Sequence, residues 1–314
     1  MNDLNAIYRR RWELERKKLE DAGLRAFPLH EKTTLPRKDP LRYFIYIFGF
    51  LLKVFGLFKL GQKQALKLRV TENLVKSSYL SKDELKILHL SDLHLDEFER
   101  PIEQLISKVK EAGSYHFCVI TGDFFTGWPT DHKTLANLEA LLNSLEPSVS
   151  TLAVLGNHDS RHLVPFLETQ KVIVLTNQIK TYINHPHLPM DLEIIGTDDP
   201  HYFFQKDAQR IFSEGHREIF RLALVHSPEL FEIATQNDCD LYLCGHTHAG
   251  QIALPGKIKP LKRVYKGKQF AEGAWQSGTM KGYTSSGIGT STLPIRFFTT
   301  AEVIIHKIQA YSRG

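Results

Sequence analysis

Cysteine is scarce in this chain, with Cys118, Cys239 and Cys244 as the three examples among 314 residues. Their positions show no paired spacing, so the sequence predicts no framework of disulfide bonds. Cys118 and Cys244 lie in apolar runs, where we expect them to pack as small hydrophobic side chains in a reducing compartment.

Long apolar runs and leader-like segments are lacking as well. The first forty residues contain no apolar core followed by small residues, which argues against a secretory signal peptide. The longest apolar stretch, residues 43–58, is shorter than the roughly 20 residues that a spanning helix needs, and it contains Lys53. No internal repeat is visible. A spanning helix and a repeat architecture are therefore not expected.

The remaining composition is that of a globular protein, with 42% hydrophobic and 24% charged residues, but its charge is unevenly placed. Residues 1–69 hold 16 Lys and Arg against 7 Asp and Glu, whereas residues 70–314 hold 24 against 28. A basic N-terminal segment can attract nucleic acid or an anionic membrane, or it can be a solvated charged helix.

The N-terminal region divides into two predicted parts, separated by a break at residues 36–40. Residues 1–24 fit a helix with a thin apolar stripe at Leu4, Tyr8 and Trp12. Residues 43–58 are apolar and aromatic, with basic residues on both sides, which favours an anchor lying in the plane of a membrane on its cytoplasmic face. The alternative is a buried helix of the globular domain. We expect residues 1–65 to form an appendage and residues 66–314 the main domain.

From residue 66 the pattern alternates between strands and helices, which indicates an α/β fold. Strands are predicted at 66–73, 86–90, 117–121, 150–155, 171–175, 192–196, 220–226, 241–244 and 302–308, and helices at 101–112, 134–145, 205–213 and 228–236. Because the closing region is richer in strands than in helices, two sheets flanked by helices fit better than one doubly wound sheet.

Five of the predicted apolar strands end in side chains that can bind metal ions. Asp92 and His94 follow the first, and their two-residue spacing lets both face one ion. The later strands are followed by Asp123; by Asn157, His158 and Asp159; by His226; and by His246 and His248. We expect all five strand ends to meet at one rim of a parallel-type sheet.

This set of ligands is typical of a site for two divalent ions. Imidazole and carboxylate groups suit manganese, iron and zinc, of which we expect manganese first. Six or seven ligands exceed the needs of one tetrahedral ion but suit two ions that share a carboxylate. Asp123, alone after its strand, is the expected bridge, and His246 and His248 are expected to serve one ion each. A scaffold that keeps a relic metal site is the alternative to an enzyme.

These blocks resemble, in their order, the five motifs of the calcineurin-like metallophosphoesterases. The motifs stand here as Asp92-Leu93-His94, Gly122-Asp123, Gly156-Asn157-His158-Asp159, His226 and Gly245-His246-Thr247-His248. The resemblance implies an αββα sandwich of two mixed sheets. It also implies two sets of ligands, namely Asp92, His94, Asp123 and His248 for one ion, and Asp123, Asn157, His226 and His246 for the other.

Further motifs resemble a membrane-attached branch of that family, which includes pyrophosphatases of the chlamydial type that act on UDP-2,3-diacylglucosamine in lipid A synthesis. These are Ile195-Gly196-Thr197-Asp198-Asp199, Gly250-Gln251-Ile252 with Pro255, Gly287-Ile288-Gly289-Thr290, and Pro294-Ile295-Arg296.

In the expected mechanism, a water molecule activated by the two ions attacks phosphorus, and Asn157 helps to neutralise charge on the phosphoryl oxygens. His158 lies beside Asn157 without a metal role, so it can protonate the leaving oxygen while Asp159 orients it. The alternative for His158 is a structural hydrogen bond.

The substrate is expected to be amphiphilic. The predicted anchor would hold the site at a membrane surface, at the cytoplasmic face of an inner membrane, and a basic loop with Lys257, Lys262 and Arg263 could receive a diphosphate or nucleotide. Hydrolysis of UDP-2,3-diacylglucosamine to 2,3-diacylglucosamine 1-phosphate and UMP is the first hypothesis. A phosphodiesterase of soluble nucleotides, nucleic acid or another phospholipid is the second. We expect no nucleic-acid partner, because the aromatic residues form one apolar block rather than alternating with basic residues.

Overall fold

A computed structural model describes residues 2–26, 34–36, 41–81, 83–96, 100–127, 131–204, 206–254, 259 and 264–311. The α-helices in these ranges are α1 (Asn2–Asp21), α2 (Leu41–Val54), α3 (Phe58–Ala65), α4 (Ile102–Glu111), α5 (His132–Asn143), α6 (Leu163–Thr169), α7 (Lys206–Arg210) and α8 (Phe231–Gln236). The strands are β1 (Leu24–Ala26), β2 (Thr34–Pro36), β3 (Leu68–Ser77), β4 (Glu84–Leu90), β5 (Phe117–Thr121), β6 (Ser150–Val154), β7 (Ile173–Val174), β8 (Gln178–Tyr182), β9 (Leu192–Gly196), β10 (Phe220–Leu224), β11 (Leu241–Cys244), β12 (Gly273–Ser277), β13 (Met280–Thr284) and β14 (Ala301–Ala310).

Two six-stranded mixed sheets form the centre of the fold. The first has the order β3-β14-β4-β5-β6-β7, in which β14 pairs antiparallel with β4 and the run from β4 to β7 is parallel. The second has the order β12-β13-β11-β10-β9-β8, with antiparallel strands at both edges of a parallel centre. This architecture confirms the α/β sandwich of two mixed sheets that the sequence predicts.

The hydrophobic core lies in three layers. Between the sheets, side chains such as Ile87 and Val119 of the first sheet pack with Leu222 and Leu243 of the second. Helices α4 and α5 cover the outer face of the first sheet, and α7 and α8 cover that of the second. Every buried face is therefore closed by another element, which leaves the strand ends as the place where polar side chains gather.

Most predicted strands are present with boundaries within a few residues, but β1, β2, β8, β12 and β13 were missed. Gln178–Tyr182 and Gly273–Ser277 are edge strands with polar or small residues, and their burial alternates or is partial. Such strands carry little hydrophobic pattern, because only one face is packed and the neighbouring strand supplies the backbone hydrogen bonds.

The expectation that five metal-bearing strand ends share one sheet is wrong. Strands β4, β5 and β6 belong to the first sheet, whereas β10 and β11 belong to the second. Their loops still meet, because the two sheets are stacked with these carboxyl ends on the same side of the molecule. The sheets are separate because β14 occupies the position beside β4 in the first sheet. Strands β10 and β11 pair instead with each other, with β9 and with β13 in the second sheet.

Helix α1 confirms the predicted helix and its apolar stripe. Tyr8 and Trp12 are buried, and the side-chain amide of Asn5 exchanges hydrogen bonds of 2.8 and 3.1 Å with the backbone of Ile179 on β8. The amide therefore pairs with an edge strand that would otherwise leave these groups unmatched. The division of the chain at residue 65 stays a prediction, although α1 packs directly on the domain that follows.

Helices α2 and α3 leave much of their apolar surface exposed. Phe50, Val54 and Phe55 are 64%, 63% and 73% exposed, while Leu52 packs against Leu293. A buried core helix, the alternative reading of this segment, is therefore wrong for most of its surface. Among the described residues, no single helix is long and apolar enough to cross a membrane. Ile45–Val54 and Phe58–Ala65 together have the length and apolar composition of a spanning segment, but the chain bends by 111° between them.

Candidate metal centre

The loops after β4, β5 and β11 hold their polar residues in an unusual backbone conformation. Five of the predicted metal ligands there have positive φ angles, a region that side chains rarely adopt. They are Asp92 (51°), His94 (40°), Asp123 (55°), His246 (69°) and His248 (49°). Strain of this kind costs on the order of 1–3 kcal/mol per residue and persists where the surrounding structure over-determines it, often at a functional site.

The glycines that precede Asp123, Asn157 and His246 act in two different ways. Gly122 has a φ of 85°, which only glycine adopts without strain. Gly156 and Gly245 allow close approach instead, because a Cβ atom would collide with the carboxylate of Asp123 at Gly156 and with Asp92 at Gly245. The requirement for glycine is thus a turn with positive φ at Gly122, whereas at the other two positions it is space.

One group of ligands consists of Asp92, His94 and His248. One ligand atom from each lies within 4.8 Å of the others, and all three side chains are buried. His248 Nε2 is 3.5 Å from Asp92 Oδ1, and the rings of His94 and His248 have centroids 5.1 Å apart. These are residues that the resemblance places on one ion.

The second group consists of Asp123, His226 and His246, again with ligand atoms within 4.8 Å of one another. Asn157 belongs to the same place, since its Oδ1 is 2.7 Å from His246 Nδ1 and 3.0 Å from His226 Nε2. His246 and His248 therefore face different groups, as their spacing predicts.

Asp123 lies between the two groups. Its Oδ2 is 3.2 Å from His226 Nε2 and 3.6 Å from His94 Nε2, so one carboxylate oxygen faces a ligand of each group. This position fits the shared ligand that the sequence predicts.

The donor set fits two divalent ions. Among the described residues, His94 Nε2 and His248 Nδ1 are buried without a hydrogen-bonding partner, which is costly for an imidazole nitrogen. Imidazole, carboxylate and amide oxygen are ligands that divalent transition metals accept.

Neighbouring groups orient the ligands. His226 Nδ1 lies 2.7 Å from the carbonyl oxygen of Thr121, which makes Nδ1 the donor and directs Nε2 to the site. His94 Nδ1 lies 3.0 Å from Thr126 Oγ1, and Ser91 Oγ donates to Asp92 Oδ2 at 2.7 Å. These three ligands are thus oriented by hydrogen bonds to neighbouring groups.

The electrostatics of the site are dominated by buried charge. Burial raises the pKa of Asp92 to about 7. Burial also acts to raise the pKa of Asp123, but the attraction of His226 and the hydrogen bond with it outweigh burial and hold that pKa well below its usual range. Conversely, the Asp123 carboxylate raises the pKa of His226 against the effect of burial. A divalent ion would replace the His226 proton in stabilising Asp123.

His158 lies at the cavity side of the site, but its orientation differs from the expectation. Its backbone N–H donates to Asp123 Oδ1 at 2.9 Å, and its ring Nδ1 lies 3.2 Å from the carbonyl oxygen of Thr126. The carboxylate of Asp159 instead accepts backbone hydrogen bonds from Asp123, Phe124 and Gly156 at 2.8–2.9 Å. The prediction that Asp159 orients His158 is therefore corrected. Asp159 ties two loops together, and Thr126 contacts the ring. The catalytic roles of His158 and Asn157 stay predictions.

A cavity of ≈ 360 Å³ opens beside the ligands. Ligand residues and His158 line its floor, Ile45 and Phe48 of α2 line one side, and His201 and Tyr202 line another. The predicted substrate contacts Lys257, Lys262 and Arg263 lie outside the described residues.

Sequence reasoning missed three residues near the site. His201 stacks close to the ligand His246, with ring centroids 4.3 Å apart, and Tyr202 lies next to it. Arg296 is buried and donates to the carbonyl oxygens of Ser286 and Gly289 at 2.8 and 2.7 Å. Arg296 belongs to the motif Pro294-Ile295-Arg296, but no role was predicted for it. His201 lies two residues after the motif that ends at Asp199.

Comparisons with known proteins agree with this site. The sequence profile described as calcineurin-like phosphoesterase matches residues 85–250. The metallophosphoesterases YkuE and YkoQ of Bacillus subtilis (strain 168) are 28% and 29% identical to this chain; the alignments cover 77% and 74% of it and 86% and 87% of the relatives. The phosphodiesterase YaeI of Escherichia coli (strain K12) is 31% identical over 65% of this chain and 75% of the relative.

Proposed function

This chain belongs to the calcineurin-like phosphoesterase family and is a hydrolase of phosphate esters, and we propose that its substrate is an amphiphile with a diphosphate group. The specific substrate proposed is UDP-2,3-diacylglucosamine. Water cleaves one P–O–P bond of the diphosphate, which yields two phosphomonoesters, 2,3-diacylglucosamine 1-phosphate and UMP.

The observation that carries this proposal is the shape of the cavity. It joins the two groups of metal ligands to an apolar wall formed by Ile45 and Phe48 of α2, with Leu293 beside them. A small soluble phosphodiester needs no such wall. An acylated sugar diphosphate would place its phosphates at the ligands and its hydrocarbon against α2.

The outer surface of α2 and α3 supports a location at a membrane. Exposed Phe50, Phe55 and Leu57 lie close in sequence to Lys53 and Lys59. Apolar side chains can enter the headgroup region while the lysines bind anionic lipids. We propose that this surface, the α2–α3 surface, holds the enzyme peripherally at the cytoplasmic face of an inner membrane, so that the cavity receives lipid from the membrane.

The residues divide the chemistry among them. Two divalent ions held by the two ligand groups would lower the pKa of water and neutralise charge on phosphoryl oxygens, with manganese proposed as the metal. The side-chain amide of Asn157 would donate to a phosphoryl oxygen. His158, at the floor of the cavity, would donate a proton to the leaving oxygen.

The basic loop would contact the polar end of the substrate. Lys257, Lys262 and Arg263 follow the last ligand in sequence and would bind diphosphate or nucleotide oxygens. Charge reversal at Lys262 and Arg263 would then raise KM without removing metal.

A second candidate is a phosphodiesterase that acts on soluble nucleotides, nucleic acid or another phospholipid. One observation favours it: the relative YaeI is named a phosphodiesterase. In that case the apolar wall would be unnecessary for turnover.

The test compares two substrates in the presence of Mn²⁺. Purified protein is assayed with detergent-solubilised UDP-2,3-diacylglucosamine and with bis-p-nitrophenyl phosphate, and Asp123→Ala serves as the inactive control. Release of UMP that depends on Asp123 is expected. Cleavage of the small diester alone would reject the lipid substrate while keeping the metal chemistry.

The membrane proposal is tested separately by flotation with vesicles. The variant Phe50→Asp/Phe55→Asp should lose binding to vesicles of phosphatidylethanolamine and phosphatidylglycerol and keep its hydrolysis of bis-p-nitrophenyl phosphate. Leu14→Asp, at an apolar residue on α1 that is 56% exposed, is the matched control and should bind as the unaltered protein does. Equal binding by both variants would exclude the α2–α3 surface as the membrane contact.

A further inference from the structure

The guanidinium group of Arg16 on α1 contacts two loops that border the cavity. The side chain is fully buried, and its Nη1 donates to Asp198 Oδ1 at 2.7 Å. Its Nη2 donates to the backbone carbonyl oxygen of Asp159, and its Nε donates to Glu20 at 2.8 Å. One side chain of the N-terminal helix thus bridges the loop after β6 and the loop after β9.

On one side, Arg16 holds the turn that carries His158. The carboxylate of Asp159 accepts hydrogen bonds from the backbone N–H groups of Asp123 and Gly156, which attaches the turn to the loop of Asp123. The backbone carbonyl oxygen of Asp159 accepts a hydrogen bond from Arg16. Glu20, also on α1, accepts hydrogen bonds from the backbone and side chain of Arg161 at 2.9 and 2.8 Å. The residues after His158 are therefore attached to α1 at two points.

On the other side, Arg16 holds the loop that carries His201 and Tyr202. Asp198 also accepts from Trp12 Nε1 at 2.8 Å, so α1 supplies both of its side-chain partners. Asp199, the next residue, accepts from the backbone N–H groups of His201 and Tyr202 at 3.1 and 2.6 Å. This loop, which lines the cavity with His201 and Tyr202, is therefore attached to α1 through Asp198.

The chemistry of this contact suits positioning better than stabilisation. Burying a charged pair costs much of what the attraction returns, so a buried ion pair is a weak source of net stability. A planar guanidinium with several donors at fixed angles can instead set the separation of the groups that it joins. Its ring-stacking contact with Phe203, 3.3 Å from the centroid, further restricts its orientation.

We propose that Arg16 is a positioning residue for hydrolysis, through which α1 fixes the His158 turn relative to the loop of His201 and Tyr202. The inference rests on the proposed function, in which His158 protonates the leaving oxygen. A turn released from Arg16 would let His158 move from the leaving group, while Asn157 would stay at its place beside His226 and His246. The N-terminal helix is then part of the catalytic domain and not merely a basic extension.

Arg9 provides a matched control on the same helix. Its guanidinium pairs with Glu168 on α6 at 2.9 Å and hydrogen-bonds to Val174 and Thr176 at 3.4 Å, not to Asp159 or Asp198. It also lies 5.0 Å from the centroid of the Trp12 ring, a contact that methionine can keep through its apolar side chain. Loss of the polar contacts weakens the docking of α1 without touching the turn of His158. A general effect of α1 on folding would therefore affect variants of Arg9 and Arg16 alike.

The experiment measures hydrolysis of phosphodiesters with good and poor leaving groups by Arg16→Lys and Arg9→Met. Lysine keeps the charge but cannot reach Asp198 and Asp159 together. We expect kcat of Arg16→Lys to fall about tenfold further with a phenol or alcohol leaving group than with p-nitrophenol, because proton donation matters most for poor leaving groups. KM and the content of two metal ions should be unchanged, and Arg9→Met should match the unaltered protein.

Two further measurements keep the outcome clear. Hydrogen exchange at residues 156–161 and 198–203 should accelerate in Arg16→Lys and not in Arg9→Met. If Arg16→Lys folds poorly, the neutral pair Arg16→Met/Asp198→Asn removes the buried charges and should show the same loss with poor leaving groups. Equal losses on all leaving groups, or unchanged exchange in both loops, would overturn the inference. If the unaltered protein with Mn²⁺ hydrolyses none of these esters, the proposed function fails, and the exchange measurement still decides the role of Arg16.

Discussion

The backbone N–H of His246 lies 3.0 Å from each carboxylate oxygen of Asp92. Asp92 belongs to one group of ligands and His246 to the other, so a residue of the second group holds a ligand of the first. Asp92 follows β4 of the first sheet and His246 follows β11 of the second, and each group of ligands combines residues that follow strands of both sheets. The metal centre is therefore a contact between the sheets, and its geometry depends on how closely their loops approach.

Gly245 tests that close approach. A Cβ at this position would collide with Ser91 and Asp92, so Gly245→Ala should displace Asp92. The affinity for the ion of the group that contains Asp92 should then fall by about 10–100-fold. Isothermal titration calorimetry of metal-free protein with Mn²⁺ measures the change in affinity. Gly127→Ala is the control, because a Cβ there meets no atom within 4 Å. Equal affinities in the two variants would contradict the prediction.

Removal of metal should abolish hydrolysis and lower stability. The ligand groups bring buried carboxylates and imidazoles together, and an ion that binds only the folded chain adds about 2.7 kcal/mol at a concentration 100 times its Kd. Treatment with EDTA should lower Tm, and Mn²⁺ should restore both Tm and activity. In Asp123→Asn the shared carboxylate is lost, and we expect activity to fall by at least about 100-fold. A Tm that does not respond to metal would contradict this account.

His158→Ala should separate proton donation from metal binding. The ring lies at the cavity and donates no ligand to either group, so the variant should retain two ions per chain, measured by elemental analysis. Loss of a general acid typically costs about 10²–10⁴-fold in kcat, and the loss should grow with poorer leaving groups. Loss of metal together with a uniform fall in rate for all esters would show a structural role instead.

The buried pair of His89 and His306 should make the fold sensitive to acid. His89 Nδ1 lies 3.2 Å from His306 Nε2, and burial lowers the pKa of His89 to about 3. Below pH 6.5 the unfolded chain binds this proton and the folded chain does not, so the free energy of unfolding falls as pH decreases. At about pH 5.5 the loss for His89 is about 1.4 kcal/mol.

Denaturant unfolding at about pH 7.5 and pH 5.5 measures this loss. His89→Asn should reduce the dependence of stability on pH, whereas His132→Asn, at an exposed position, should leave it unchanged. An identical dependence in the unaltered protein and in His89→Asn would contradict the assignment of acid sensitivity to this buried ring.

The sequence alone determined the class of fold, the strands of the first sheet, three of the six strands of the second, the family and the candidate ligands of the metal centre. The physical reason is local: a buried strand is a continuous apolar run, and a ligand at its carboxyl end follows at a fixed spacing. The strand at Phe117–Thr121 and the Asp123 after it are readable from seven consecutive residues. The edge strands β8 and β12 were not readable, because each is a five-residue strand that is only partly buried and so carries little hydrophobic pattern.

Only the tertiary structure decided which of these residues meet. No spacing shows that β4 and β11 belong to different sheets, that Asp159 holds backbone N–H groups of the Asp123 loop, or that Thr126 contacts the ring of His158. Nor does the basic pattern of α1 distinguish the exposed Arg11 from Arg16, which is buried against Asp198 some 182 residues later. Contacts of such long sequence separation depend on how the two sheets stack and where α1 docks, and neither is encoded in a local pattern.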